Sequence, residues 1–171
     1  KVIPAVFHLY KHAELPDRFR VIGFSRRDWS DAEFQAFIKE VIEEHQGAKV
    51  PEAILTPFLS LFRFQRGYFE EPKSYEELKK AFDASDGEWG VCSYKLFYFS
   101  VAPEYYETIL KDIAKHGLVE PCAPGEGWTH IIVEKPFGMD SKTAKSIDEL
   151  LGKLFDEEQI YRIDHYLAKE M

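Results

Sequence analysis

Short apolar runs alternate along this chain with longer stretches whose apolar residues recur every three or four positions, and that alternation leaves few folds open. The runs are FRVIGFS (19–25), LSLFRFQ (59–65), KLFYFSVA (95–102) and THIIVEK (129–135). The most continuous of them, KLFYFSVA and THIIVEK, read as strands covered on both faces. Helical patterns separate the runs. Residues 2–12 read as a helix. Ser30 and Glu33 form an S-x-x-E capping box. Phe34, Phe37, Ile38, Val41 and Ile42 then share one helix face, and Gly47 closes the helix. A short helix entered at Pro51 covers 51–58. Ser74 and Glu77 repeat the capping box before a helix expected to end near Asp83, with a loop over 84–93. Pro103 opens a helix that aligns Tyr106, Ile109, Leu110 and Ile113 and stops at Gly117. After a Pro- and Gly-rich loop at 119–127, Asp140 caps a helix carrying Ala144, Ile147, Leu150, Leu151, Leu154 and Phe155.

This order predicts an α/β fold with a parallel sheet covered on both faces. Ligands of such sheets bind beyond the carboxyl ends of the strands. Four places qualify: 25–27, 65–67, 101–103 and 134–138. The chain opens on a helix with no strand before it, and the lone glycines at 67, 87 and 90 make no phosphate loop.

Composition narrows the function classes. A chain of 171 residues with 45% hydrophobic and 15% aromatic content can bury a core, which excludes disorder. No apolar run approaches the ~20 residues that span a bilayer, and the start lacks a cleavable leader pattern. The net charge of −8 argues against a nucleic-acid partner. It leaves room for an anionic small ligand where a few cations converge. Cys92 and Cys122 stand in unrelated contexts, so neither a disulfide nor a metal site is expected, as befits a reducing cytosol.

Three constellations carry chemistry. In GFSRRDWS (23–30), Arg26 and Arg27 follow a strand directly. Arginine at that place in a dinucleotide fold accommodates the 2′-phosphate of NADP, where an acid would hold the ribose hydroxyl of NAD. The plainer reading is a solvated loop. In VEKPFG (133–138), Lys135 ends a strand and precedes a proline that cannot extend it. A cis Lys–Pro bond would aim the ammonium into the crevice, whereas the plainer reading is an ordinary strand exit. In RIDHYLAKE (162–170), His165 and Lys169 lie four apart with Tyr166 beside them, a clamp for a sugar phosphate if the segment is helical. Asp164 could orient a histidine. A lone histidine is more often structural than a ligand.

RIDHYLAKEM resembles the RIDHYLGKE signature of the glucose-6-phosphate dehydrogenases, and IIVEKPFG is similar to that family's segment throughout. KVIPAVFHLYK resembles the helix after the family's GxxGDLAK loop, and VIGFSRR, FYFSVAPEYY and GW (127–128) follow in the family's order. The resemblance implies a partial Rossmann-like domain over 1–171, mostly parallel and doubly wound. The first strand, the glycine loop and the C-terminal α+β substrate and dimer domain would be missing. It implies NADP-dependent oxidation of D-glucose 6-phosphate at C1 to 6-phosphogluconolactone, the first step of the oxidative pentose phosphate pathway, in a cytoplasmic, homo-oligomeric parent. Arg26 and Arg27 would hold the 2′-phosphate and adenine. Tyr106 and Lys135 would lie near the cofactor, with Lys135 also reaching the sugar. His165, Tyr166 and Lys169 would grip the substrate, and Asp164 would orient a catalytic histidine further along the family's chain. The fragment alone would be inactive. Ala168 stands where the family has glycine. Two other readings stay open: another NADP-linked sugar dehydrogenase, and a noncatalytic module that binds nucleotide or a partner.

Overall fold

The computed structural model describes residues 2–122, 126–135 and 140–163. The chain divides into two units, Lys1–Tyr68 and Phe69–Met171.

In the first unit, α1 (Val2–Lys11) precedes β1 (Val21–Ser25), α2 (Asp31–Gln46), α3 (Glu52–Leu59) and β2 (Phe62–Arg66). The two strands pair in parallel, Val21 opposite Phe62 and Ser25 opposite Arg66. The start of α2 is fixed by the predicted capping box: Ser30 Oγ accepts from the Glu33 N–H, and the Glu33 carboxylate accepts from the Ser30 N–H. Those hydrogen bonds from Ser30 hold the Glu33 carboxyl below its ordinary pKa. Gly47 ends the helix in the left-handed region, at φ 66°. Phe34, Ile38 and Ile42, one turn apart along α2, join Phe7, Leu55, Phe58 and Phe62 in one core.

Gly23 is the point of closest approach in β1. A Cβ there would lie 2.6 Å from the Phe34 ring, which other core rings hemmed in by packing cannot easily yield. Gly23→Ala is therefore expected to destabilise the protein by about 1–3 kcal/mol through overpacking. A lowered urea midpoint at unchanged m-value would show it.

The second unit runs α4 (Pro72–Trp89), β3 (Lys95–Phe99), a 3-10 turn at Pro103–Tyr105, α5 (Tyr106–Lys115), β4 (Thr129–Glu134), α6 (Ser141–Leu154), a second 3-10 turn at Glu157–Gln159, and β5 (Ile160–Ile163). Its sheet has the order β3–β4–β5, parallel throughout, with Lys95 opposite Thr129 and Glu134 opposite Ile163. Thr129, Ile131 and Val133 alternate inward, and α5 contributes Tyr106, Ile109, Leu110 and Ile113 to the core. Asp140 caps α6 as expected, its carboxylate accepting from the Thr143 N–H at 2.7 Å. Among the described residues β1 pairs only with β2, and β3 only with β4, so each sheet has an unpaired edge at those strands.

Four expectations need correction. Helix α4 starts at Pro72, whose fixed φ suits the first turn, so Ser74 lies inside the helix and is buried rather than capping it. The same helix runs through the expected loop as far as Trp89. Ser85 is buried on its packed face and donates to the Ala81 carbonyl, Gly87 is carried within the helix, and the stop is Gly90 at φ 65°. Leu96 of β3 is 54% exposed, so the apolar run does not mean cover on both faces within the described residues. Finally, Cys92 and Cys122 form a disulfide with their Cα atoms 5.9 Å apart. The parallel pairing of β3 with β4 brings together the loops that precede these strands, a proximity that spacing along the chain cannot reveal.

Candidate functional site

Of the residues singled out by sequence, the described ones, Arg26, Arg27, Tyr106 and Lys135, lie just past the carboxyl ends of strands, in each unit separately. In the first unit, the chain leaves β1 at Ser25, whose Oγ accepts from the Arg27 N–H at 3.3 Å. The Arg27 guanidinium lies over the Trp29 ring, 4.4 Å from its centroid. Asp28, the acid nearest the strand end, is taken up by Arg66 at 2.9 Å. Arg66 also donates to the Tyr68 hydroxyl at 3.2 Å. Arg26 is exposed and makes no hydrogen bond or ion pair among the described residues. The neighbouring arginines thus differ: one lies over an indole, and the other is exposed to solvent.

In the second unit, Tyr106 is 1% exposed at the start of α5. Its hydroxyl reaches the carbonyls of Phe99 at 3.5 Å and Glu134 at 3.4 Å, which ties the ends of β3 and β4 together. Burial pushes its phenol above the ordinary range. Tyr98 donates to the Glu134 carboxylate, and burial first, then that carboxylate, raises its phenol as well. Lys135 follows directly and is exposed, with its N–H donating to the Ile163 carbonyl at 3.0 Å. The ammonium therefore issues from a backbone pinned where β4 and β5 end.

Ile163 is the last described residue. Asp164, His165, Tyr166 and Lys169 lie outside the described residues, as do Pro136 to Gly138 and with them the geometry of the Lys135–Pro136 bond. Arg162 has a structural task that the sequence reading missed. It bonds Asp148 of α6 at 2.8 Å and also Glu157, holding β5 against its neighbours. The signal lay in the acids Asp148 and Glu157, but only folding brings them to Arg162.

Parallel strands joined by helical crossovers, with cations and phenols collected at their carboxyl ends, define a dinucleotide-binding α/β domain. The family described as glucose-6-phosphate dehydrogenase, NAD binding domain, matches residues 1–171, and the chain belongs to that family. Among its relatives, the glucose-6-phosphate 1-dehydrogenase of Borreliella burgdorferi is 37% identical over 170 residues, covering 99% of this chain and 32% of that protein. Glucose-6-phosphate 1-dehydrogenase 6, cytoplasmic, of Arabidopsis thaliana is 35% identical over 179 residues, covering 100% of this chain and 33% of that protein. A solved glucose-6-phosphate dehydrogenase in complex with its substrate glucose-6-phosphate aligns at a TM-score of 0.84 and 32% identity, over 99% of this chain and 34% of that one. The chain thus spans about one third of the length of these relatives.

Proposed function

We propose that this domain holds NADP in a protein that oxidises D-glucose 6-phosphate at C1, giving 6-phosphogluconolactone and NADPH. The observation that carries the cofactor assignment is Arg26, an uncommitted guanidinium just past β1, beside an acid already engaged by Arg66. That is the arrangement a 2′-phosphate needs, since a ribose hydroxyl would call for an available carboxylate. Arg27, lying over Trp29, offers a flat cation against which adenine can stack. In the second unit, Tyr106 fixes the ends of β3 and β4, and the role proposed for Lys135, just past β4, is to serve the nicotinamide and the sugar.

For the substrate, His165, Tyr166 and Lys169 form the phosphate clamp, and Asp164 orients the histidine that takes the C1 hydroxyl proton. That histidine belongs to the parent protein beyond this domain. Held by Arg26 and Arg27, NADP would supply the hydride acceptor for C1. The domain's own contribution is alignment, with Lys135 donating to a sugar hydroxyl so that the reacting carbon keeps its angle to the cofactor. The family and the name of the solved relative, which carries glucose-6-phosphate, support this choice of substrate. A cytoplasmic homo-oligomer is the proposed working form, its location suggested by the Arabidopsis relative.

Arg26→Ala tests the cofactor assignment. In the full-length protein it should weaken NADP binding by about 10- to 100-fold, the loss of one charge-assisted pair, and leave NAD binding nearly unchanged. Calorimetric titration with each nucleotide reads this directly. Equal losses for both would mean that Arg26 does not read the 2′-phosphate.

A further inference from the structure

Within the second unit, the cysteine pair lies at the other end of the sheet from Tyr106 and Lys135. Cys92 precedes β3 and Cys122 lies in the loop that precedes β4, at the amino ends of these strands. Tyr106 and Lys135 lie past the carboxyl ends of β3 and β4, beyond a five-residue strand of about 17 Å. The surroundings of the two sulfurs differ. Cys122 is exposed, whereas Cys92 is half-buried and packed on Gly127, where a Cβ would come within 2.8 Å of its sulfur. Gly127 also has a φ of 74°, so a side chain there is disfavoured twice.

Beside the exposed sulfur sits an ion pair that a simple covalent staple does not need. Lys95 Nζ and Asp86 Oδ2 are 3.3 Å apart, with side chains only 11% and 15% exposed. Lys95 Nζ is 3.8 Å from Cys122 Sγ, and Asp86 Oδ2 is 3.3 Å from it. The donor atoms of Asp86, Cys92 and Cys122 lie within 4.8 Å of one another, as a metal site would require. The Lys95 ammonium among them opposes a cation, while the Asp86 carboxylate it pairs with is placed to accept the Cys122 proton when the pair is reduced. A cleft of about 250 Å³, whose lining includes Lys79, Asp83, Lys95, Glu120, Pro121 and Cys122, opens beside the bond and gives a small thiol room to arrive and leave.

We propose that Cys92 and Cys122 form a thiol–disulfide exchange site for small organic disulfides, with Cys122 as the entry sulfur and Cys92 as the resolving one. In the reduced pair, Asp86 accepts the Cys122 S–H hydrogen bond and Lys95 compensates the thiolate that forms. The thiolate attacks one sulfur of R–S–S–R, breaking that bond, expelling RS⁻ and leaving Cys122–S–S–R. Cys92, whose sulfur lies 3.2 Å from the Glu126 carbonyl, then loses its proton and attacks Cys122 Sγ. The protein disulfide forms, a second RS⁻ departs, and the two thiol protons end on the released thiols. Two electrons pass from the cysteine sulfurs to the small disulfide, which is the oxidant.

The test uses full-length protein, reduced and desalted, with site-resolved peptide mass spectrometry. Under native conditions, iodoacetamide should label Cys122 at least about tenfold faster than Cys92, following exposure and thiolate character. Glutathione disulfide should restore the Cys92–Cys122 bond within one chain. In Cys92→Ser the reaction should stop with one glutathione on Cys122, and Lys95→Met should slow that first step by about tenfold. The proposal fails if Cys92 is labelled as fast as Cys122, or if the native disulfide resists reduction until the protein unfolds. Both readings come from unmutated protein, so a misfolded variant cannot obscure them.

Discussion

Replacing Lys135 with methionine in the full-length protein is expected to lower kcat/KM for glucose 6-phosphate by about 10²–10³-fold. Methionine keeps most of the stem and removes the ammonium. Losing a charge-assisted hydrogen bond costs about 1.5–3 kcal/mol, or roughly 10- to 150-fold. Misplacement of the reacting carbon adds to this, since ~1 Å can cost about 10² in rate. The effect should fall on kcat as well as KM, because the proposed role is to orient two reactants rather than to hold one. The backbone at Lys135 is fixed by its hydrogen bond to Ile163, which the substitution leaves in place. The far-UV circular dichroism spectrum and the melting temperature should therefore stay close to wild type. A variant within about threefold of wild-type kcat/KM would remove Lys135 from the site.

The largest expected effect on stability lies at Phe58. This ring is fully buried at the centre of the first unit's core. It meets Phe7 at 4.9 Å, Phe62 at 5.0 Å and Tyr10 at 5.1 Å between centroids. Phe58→Ala removes the ring's transfer energy and leaves a cavity between neighbours held in place by α1 and β2, at a cost of about 3–5 kcal/mol. Phe37 on α2, at the exposed margin of the same unit, is the control, and its alanine variant should lose about 1 kcal/mol or less. Urea unfolding of the two variants separates them. A Phe58→Ala midpoint close to that of Phe37→Ala would contradict the assignment of this core.

Features written locally in the sequence were legible from it. The Ser30–Glu33 box, the Gly47 stop and the Asp140 cap each rest on residues within a turn of one another, and the structure has each in place. Parallel pairing followed from the strand–helix order. Errors arose where distant contacts outweighed local signals. Helix α4 passes through Gly87 with Ser85 buried on its packed face, so packing carries it beyond the point where propensity alone would end it. Leu96 reads as buried in a run of apolar letters, yet burial depends on what covers the sheet. The Cys92–Cys122 bond and the Arg162–Asp148 pair, 30 and 14 residues apart along the chain, exist only after the second unit's strands have paired and packed. The structure has Arg26, Arg27 and Lys135 just past strand ends, as their sequence positions implied, and their roles in binding are proposals. The different engagements of Arg26 and Arg27 depend on Trp29 and Arg66, which sequence reading had not assigned to them.

The most direct measurement is steady-state NADPH and NADH production by the full-length protein, with glucose 6-phosphate and with unphosphorylated glucose as substrates. The proposed function predicts turnover of glucose 6-phosphate with kcat/KM for NADP at least about tenfold above that for NAD, as one charge-assisted contact to the 2′-phosphate provides. It also predicts far weaker turnover of free glucose, which has no phosphate for His165, Tyr166 and Lys169 to grip. Equal turnover of glucose and glucose 6-phosphate, or a preference for NAD that Arg26→Ala leaves unchanged, would contradict it.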